Sequence, residues 1–301
     1  MAAARTESPI TYTLVLVASL IAVAHAAIFV RMADADPLVT AAWRMAIASL
    51  VLLPLAGVTA RDEIRRLGGR EWKLIAGASV FLALHFATWI ASLDFTSIAN
   101  SVVLVTLTPV WLAVWAVLAL RQPPGRRTWL AVGLALAGSA VMGWGSARVG
   151  SATLFGDGLA LLGGILFVGF LLLAEAARRT VGIVAFVTLV YSGAAILLWA
   201  AVFALALPLV GLSLETYLAF IGLGLVSQII GHTGFNWAVR AISPMVLALL
   251  LLSEPLLSAA LGWFYFGEGF TRETAIGGVL ILTAIYLGVR AGGAHVTEQT
   301  G

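Results

Sequence analysis

Five ionisable side chains stand inside otherwise apolar runs of this sequence: His25, Arg44, His85, His232 and Glu254. A charge at the centre of a membrane span costs about 2.5–3.5 kcal/mol on insertion scales, so such a group is expected to face a cavity or a partner. Glu254 is the only carboxylate deep within such a run. It suits a proton carrier, an anchor for a substrate ammonium, or a structural acid beside Pro255, whose missing N–H leaves the Leu251 carbonyl open. Gln228, His232 and Asn236 recur at i, i+4 and i+8 and so share one helical face, with Phe235 beside them. His85, Thr88 and Ser92, with Trp89 adjacent, form a similar face in an earlier run. One buried histidine is explained by packing; two at matched positions point to opposite walls of one small-molecule cavity. Asn100, Thr106 and Thr108 add polar groups, and Trp111 is too deep for an interfacial belt, so it suits packing or stacking on an aromatic substrate. His25 has apolar flanks and ranks below these. Arg44, about seven residues into its run, is expected to snorkel to the outer surface.

These residues need a membrane to position them. Of 301 residues, 61% are hydrophobic and 10% charged, with a mean hydropathy of +1.06. A soluble domain carries about 25% charged residues to wet its surface. Runs long enough to cross hydrocarbon fall at 10–30, 37–57, 73–93, 97–120 and 128–145, then at 156–175, 182–209, 214–238, 243–264 and 274–290. The expected fold class is therefore all-α integral membrane, with ten spans and only short connections, the longest being the charged stretch 58–72. The first run, with Arg5 before it and Ala24-His25-Ala26 at its end, resembles a signal peptide but is long enough to span, and more spans follow it. Trp43, Trp72, Trp89, Trp129, Trp237 and Trp263 fall near span ends, and most are expected to anchor in the interfaces.

Charge sets the orientation. With the N-terminus inside, the inner segments hold Arg5, Arg61, Arg65, Arg66, Arg70, Lys73, Arg121, Arg126, Arg127, Arg178, Arg179, Arg240 and Arg290; the outer loops hold only Arg31, Arg148 and Arg272. That asymmetry puts both termini in the cytoplasm and the chain in the cell's inner membrane. The two halves also repeat. His85 to Pro109 spans 24 residues and His232 to Pro255 spans 23, and the pair Gly133 and Gly143 recurs as Gly278 and Gly288. Offsets of 147, 146, 145 and 145 residues define two units, 1–150 and 151–301. Five spans per unit is odd, so the second is expected to be inverted, with Pro109 and Pro255 acting as kinks and hinges for alternating access around a mid-membrane site.

Ten spans, the duplicated five-helix unit, Trp43-Arg44, the proline-centred spans, and the run from Ser253-Glu254-Pro255 through Gly267-Glu268-Gly269 to Gly277-Gly278 resemble the EamA-type drug/metabolite transporter superfamily. Thr108-Pro109 lacks the glutamate in the first unit, Arg121-Gln122 stands where the family has Gly-Glu, and the first span lacks the Trp-Gly pair. The resemblance implies an exporter of amino acids, metabolites or drugs, with the aromatic amino-acid exporters as the nearest subgroup. Export of drugs or organic cations by proton antiport is the alternative, and a channel or membrane-embedded enzyme is the rival class. No metalloprotease, phosphate-loop or serine-hydrolase motif is present, and Asp34 and Asp36 form no convincing metal pair. No cysteine is available for disulfides or thiolate metal sites, no basic–aromatic stretch points to nucleic acid, and the few buried cations disfavour phosphate-bearing substrates. The expected partners are a small-molecule substrate and the bilayer, with no cofactor and a monomeric chain.

Overall fold

A computed structural model describes residues 8–96, 98–144, 151–267 and 272–298, and every regular element among them is helical. Arg5, Arg148, Glu268 and Gly269, named above, lie outside the described residues. The first half comprises α1 (Pro9–Met32), α2 (Pro37–Thr59), the short α3 (Arg61–Arg65), α4 (Gly69–Ser92), α5 (Ile98–Val105), α6 (Thr108–Leu118) and α7 (Arg126–Trp144). The second comprises α8 (Ser151–Arg178), α9 (Ile183–Ala204), α10 (Leu214–Gly222), a π-helix (Leu223–His232), α11 (Thr233–Ala238), α12 (Pro244–Leu251), α13 (Glu254–Phe266) and α14 (Arg272–Glu298).

Helix starts follow local chemistry. Asp36 accepts from the Leu38 N–H at 2.8 Å with Pro37 next in sequence, and Ser243 accepts from Val246 N–H at 3.3 Å with Pro244 next. Each cap oxygen satisfies a first-turn N–H that has no helical partner, and proline at the first position has no N–H to waste. Gly267 closes α13 at φ 67°, a left-handed conformation that favours glycine.

Among the described residues, eight stretches are long and apolar enough to cross a membrane: Ile10–Met32, Pro37–Thr59, Gly69–Ser92, Asn100–Leu118, Ala152–Arg178, Ile183–Ala204, Leu214–Ala238 and Pro244–Phe266. Helices α7 and α14 occupy the positions of the expected fifth and tenth runs and pack on each other. Leu50, Val58, Leu118, Leu154, Phe203, Leu214 and Phe264 turn outward, as side chains solvated by lipid should.

The expected continuous spans, kinked at proline, are corrected at three places. The run 97–120 is two helices, broken after Val105, and 243–264 is two, broken after Leu251. A proline ring clashes with the carbonyl four residues earlier, which is Val105 for Pro109 and Leu251 for Pro255. Each upstream helix therefore ends at that residue and each proline opens a new helix, so neither sits in a kink of a continuous one. The chain crosses each gap on tighter i→i+3 bonds, Leu107 N–H to Leu104 at 3.4 Å and Ser253 N–H to Leu250 at 3.0 Å. The third departure is the π-helical stretch inside 214–238, a wide-turn geometry that is rare outside functional sites.

Packing pairs α4 with α8, α1 with the π-helix, α2 with α9 and α7 with α14. Lipid removes the hydrophobic gain from helix association, so close backbone approach must supply the attraction. Ser19 on α1 donates to the Ile230 carbonyl of the π-helix at 3.3 Å. At the α7–α14 crossing, a Cβ on Gly138 would lie 2.7 Å from the Gly277 carbonyl oxygen. Of the matched glycines, Gly133 is not at this crossing, since a Cβ there would meet nothing within 4 Å, and Gly278 and Gly288 approach Leu256 and Leu249 instead.

Candidate functional site

Both proline breaks open onto the same space. Val105 and Leu251, the last residues before the breaks, line a cavity together with Thr106, Thr108 and Glu254. Helix α4 contributes His85, Phe86 and Trp89; α8 contributes Phe167; the π-helix contributes His232; α2 contributes Arg44; and α1 closes the wall with Val23 and Ala26.

The two histidines share an aromatic wall. Phe86 lies 4.8 Å from the His85 ring and 5.3 Å from His232, and Phe167 lies 5.0 and 5.9 Å from them. Trp89 is parallel to His85 at 6.4 Å. His85 Nδ1 donates to the Gly163 carbonyl at 2.9 Å, so in the neutral ring Nε2 is left as an acceptor. These rings present apolar faces with few polar atoms, and Glu254, 7% exposed, is the single acid of the lining.

Of the residues expected to meet substrate, His85, Trp89, Thr108, His232 and Glu254 converge here. Five do not. Thr88 is spent on its own helix, donating to the Leu84 carbonyl at 2.8 Å. Asn100 is buried away from the lining, and Trp111 packs half-buried against the main core. Gln228 stands behind Arg44. The Asn236 side-chain amide donates to the His232 carbonyl at 2.9 Å and to the Tyr191 hydroxyl at 3.4 Å, while its main-chain carbonyl accepts from Arg178 Nε at 3.0 Å. The regular i, i+4, i+8 face assumed an unbroken α-helix. The π-helix ends at His232, and Asn236 lies beyond it in α11. His25 also stays outside the cavity lining, its Nδ1 bonded to the Ile21 carbonyl at 2.7 Å.

The largest correction concerns Arg44. It does not snorkel: it is 0% exposed, donates from Nε to Gln228 Oε1 at 2.8 Å, and lays its guanidinium 3.9 Å from the Phe86 ring centre. Its neighbours one turn away are Ala41 and Ala48, both fully buried. Small residues on the same face as a charge mark a helix contact, and that signal was present in the sequence. Trp43 and Trp89 also leave the interfacial belt. Trp43 packs with Trp199, Tyr217 and Phe220 at 5.5–6.1 Å, and Trp89 is 3% exposed. Trp72 (45% exposed) and Trp263 (60%) remain at the surface, as a belt requires. Phe86 and Phe167 had no flag in the sequence beyond being aromatic.

The EamA-like transporter family matches this chain twice, over residues 10–144 and 154–290. An uncharacterized transporter of Archaeoglobus fulgidus is 27% identical over 277 residues, 91% of this chain and 95% of its own length. The uncharacterized transporter YwfM of Bacillus subtilis is 26% identical over 259 residues, 84% of each. A protein of known crystal structure superposes with a TM-score of 0.76 over 95% of this chain and 98% of its own, at 17% identity, which speaks to fold alone.

Proposed function

The chain belongs to the EamA-like transporter family, and on that premise we propose that it is a secondary transporter exporting small metabolites, most of all amino acids with aromatic or other apolar side chains. One observation carries the proposal: a buried cavity, walled by His85, Phe86, Trp89, Phe167 and His232, holds one acid and opens at two broken helices. Discontinuous helices around a mid-membrane site are a recurrent transporter device. The aromatic walls match an apolar side chain, and Glu254 matches an ammonium or a carried proton. A second reading draws on the same acid: aromatic rings and a carboxylate also suit an organic cation exchanged for protons.

In this reading the chain makes ten spans as two inverted five-helix repeats, 1–150 and 151–301, with both termini in the cytoplasm of a cell bounded by this inner membrane. The packing supports it. Exchanging the halves turns the α4–α8 contact into the π-helix–α1 contact, turns α6–α8 into α13–α1, turns α5–α7 into α12–α14, and maps α2–α9 and α7–α14 onto themselves. A channel would want a continuous polar lining or rings of charge, and the aromatic wall here favours an occludable site.

Counterflow in proteoliposomes tests the function, screening aromatic amino acids first, then nucleosides and quaternary amines. Saturable exchange of an amino acid is the expected result; unsaturable conductance would replace the transporter reading with a channel. The absence of cysteine makes the topology directly testable. A cysteine at Asp94 should react with an impermeant maleimide from outside, and one at Ala241 only from inside. Labelling of both from one side would end the inverted arrangement.

A further inference from the structure

Arg44 is a cation held wholly inside the bundle with most of its donors unused. Nε is satisfied by Gln228 and one face of the guanidinium is covered by Phe86. Nη1 and Nη2 are buried and have no hydrogen-bond partner. A guanidinium carries five N–H donors in a rigid fork, and leaving several of them desolvated and unpaired is among the costlier arrangements in a protein. Arg44 is one of the residues that line the cavity. Its Nε edge is already anchored, so the unpaired Nη edge is fixed in direction and does not have to be ordered when a ligand arrives.

We propose that this Nη edge of Arg44 receives the carboxylate of the transported molecule, with Gln228 as the residue that positions it. Carboxylate geometry matches two parallel N–H donors, which gives both strength and direction. Charge sets the rest of the ligand. Arg44 and Glu254 are the charged residues of the lining, and their charges cancel when both are ionised. A zwitterion adds no net charge, with its carboxylate on Arg44 and its ammonium on Glu254. A simple amine would leave Arg44 unpaired, and a phosphate dianion would overload the site. The inference rests on reading the cavity as the substrate site, and it narrows the substrate to a carboxylate with an apolar or aromatic body.

The test is equilibrium binding to the purified full-length protein, comparing ligands with one body and different heads. Phenylalanine and phenylalaninamide share ring and ammonium and differ in the carboxylate; 3-phenylpropionate keeps the carboxylate and lacks the ammonium. Wild type should prefer the acid over the amide by about 100-fold, since the amide leaves a buried guanidinium without its charged partner. Arg44→Gln should bring that ratio near unity, and Arg44→Lys should restore part of it, keeping the charge without the fork. Gln228→Met should lower the ratio about tenfold while leaving amide binding unchanged, because only the aim of the fork is lost. The Gln228 variant and the wild-type ratio decide the matter even if the Arg44 variants do not fold. Equal binding of acid and amide by wild type, an undiminished ratio in Arg44→Gln, or no binding of any carboxylate probe would each overturn the assignment. Its failure separates from that of the proposed function. Counterflow of phenylalaninamide as fast as phenylalanine removes the carboxylate role and keeps the transporter. Arg44-dependent binding of 3-phenylpropionate without amino-acid counterflow keeps the role and removes amino-acid export.

Discussion

At Thr108-Pro109 the chain sets a neutral hydroxyl against the cavity; at Glu254-Pro255 it sets a carboxylate at the same step of an equally broken helix. The upstream helices end four residues before each proline, and the residue just before each proline lines the cavity. The backbone device is therefore common to both halves and the chemistry is not. Proline dictates where a helix must stop whatever its neighbours are; which group then occupies the opening is free to vary. A duplicated scaffold can keep a symmetric opening while charge enters from one side only.

If that division is right, the two positions must differ sharply when neutralised. Glu254→Gln should lower transport about 100-fold, the scale expected for losing one partner of a buried charged contact, and the residual rate should ignore an imposed pH gradient. Thr108→Val should cost less than about fivefold, since a neutral hydroxyl contributes only a modest net amount; its own bond, to the Val105 carbonyl at 3.4 Å, is long. Initial rates in proteoliposomes at matched reconstitution measure both. Comparable losses, or an unchanged gradient response in Glu254→Gln, would make the halves chemically equivalent and remove the proton or ammonium role.

The prolines probe the shared part. Pro109→Ala with Pro255→Ala restores the missing N–H groups and lets both helices close over the cavity mouth. Substrate affinity should change little while turnover slows about tenfold, as expected when a conformational step limits the rate. An unchanged turnover and unchanged accessibility of a cysteine placed at Leu251 would dismiss a hinge at the breaks.

How much of this was legible beforehand depends on whether the cause was local. The positions of the helical runs came through because apolar length is a local property. The places of the two breaks, and the shared cavity lining by His85 and His232, were legible because their spacing repeats. Arg44 was misplaced because its partner Gln228 is 184 residues away and in the other half; distance from a span end carries no knowledge of that contact. The Gln228–His232–Asn236 face was misdrawn because regular periodicity presumes one helix type, and nothing in Leu223–His232 announces the wide turn between Gln228 and His232. Gly133 was singled out for matching its counterpart Gly278, yet the α7–α14 crossing brings Gly138 and Gly277 together.

That last contrast is measurable as stability. Gly138→Leu must push a side chain into the Gly277 backbone, an overpacking cost of about 1–3 kcal/mol that should lower the melting temperature in detergent by about 5 °C. Gly133→Leu, facing open space, should leave it where it was. Equal shifts would mean that repeat position, and not close approach, marks the important glycines.

The smallest effect lies in the loops, where the halves carry opposite charge: Asp94 follows α4 and Arg240 follows α11. Partial burial pushes the Asp94 carboxyl above the usual range, and Asp36 nearby adds to it. Asp94 also lies just past a helix C-terminus, where negative charge is disfavoured. A carboxyl whose folded value is raised binds its proton more tightly when native, so the ionised form weakens the fold above that value. Asp94→Asn should then raise the melting temperature slightly at neutral pH. The gain should shrink as pH falls through the raised value and vanish below the ordinary carboxylate range, where both forms are neutral. Melting curves of the two proteins across pH 3.5–8 would show it, that window being about the span over which a raised carboxyl titrates. A gain that persists at the acid end would trace to something other than the charge.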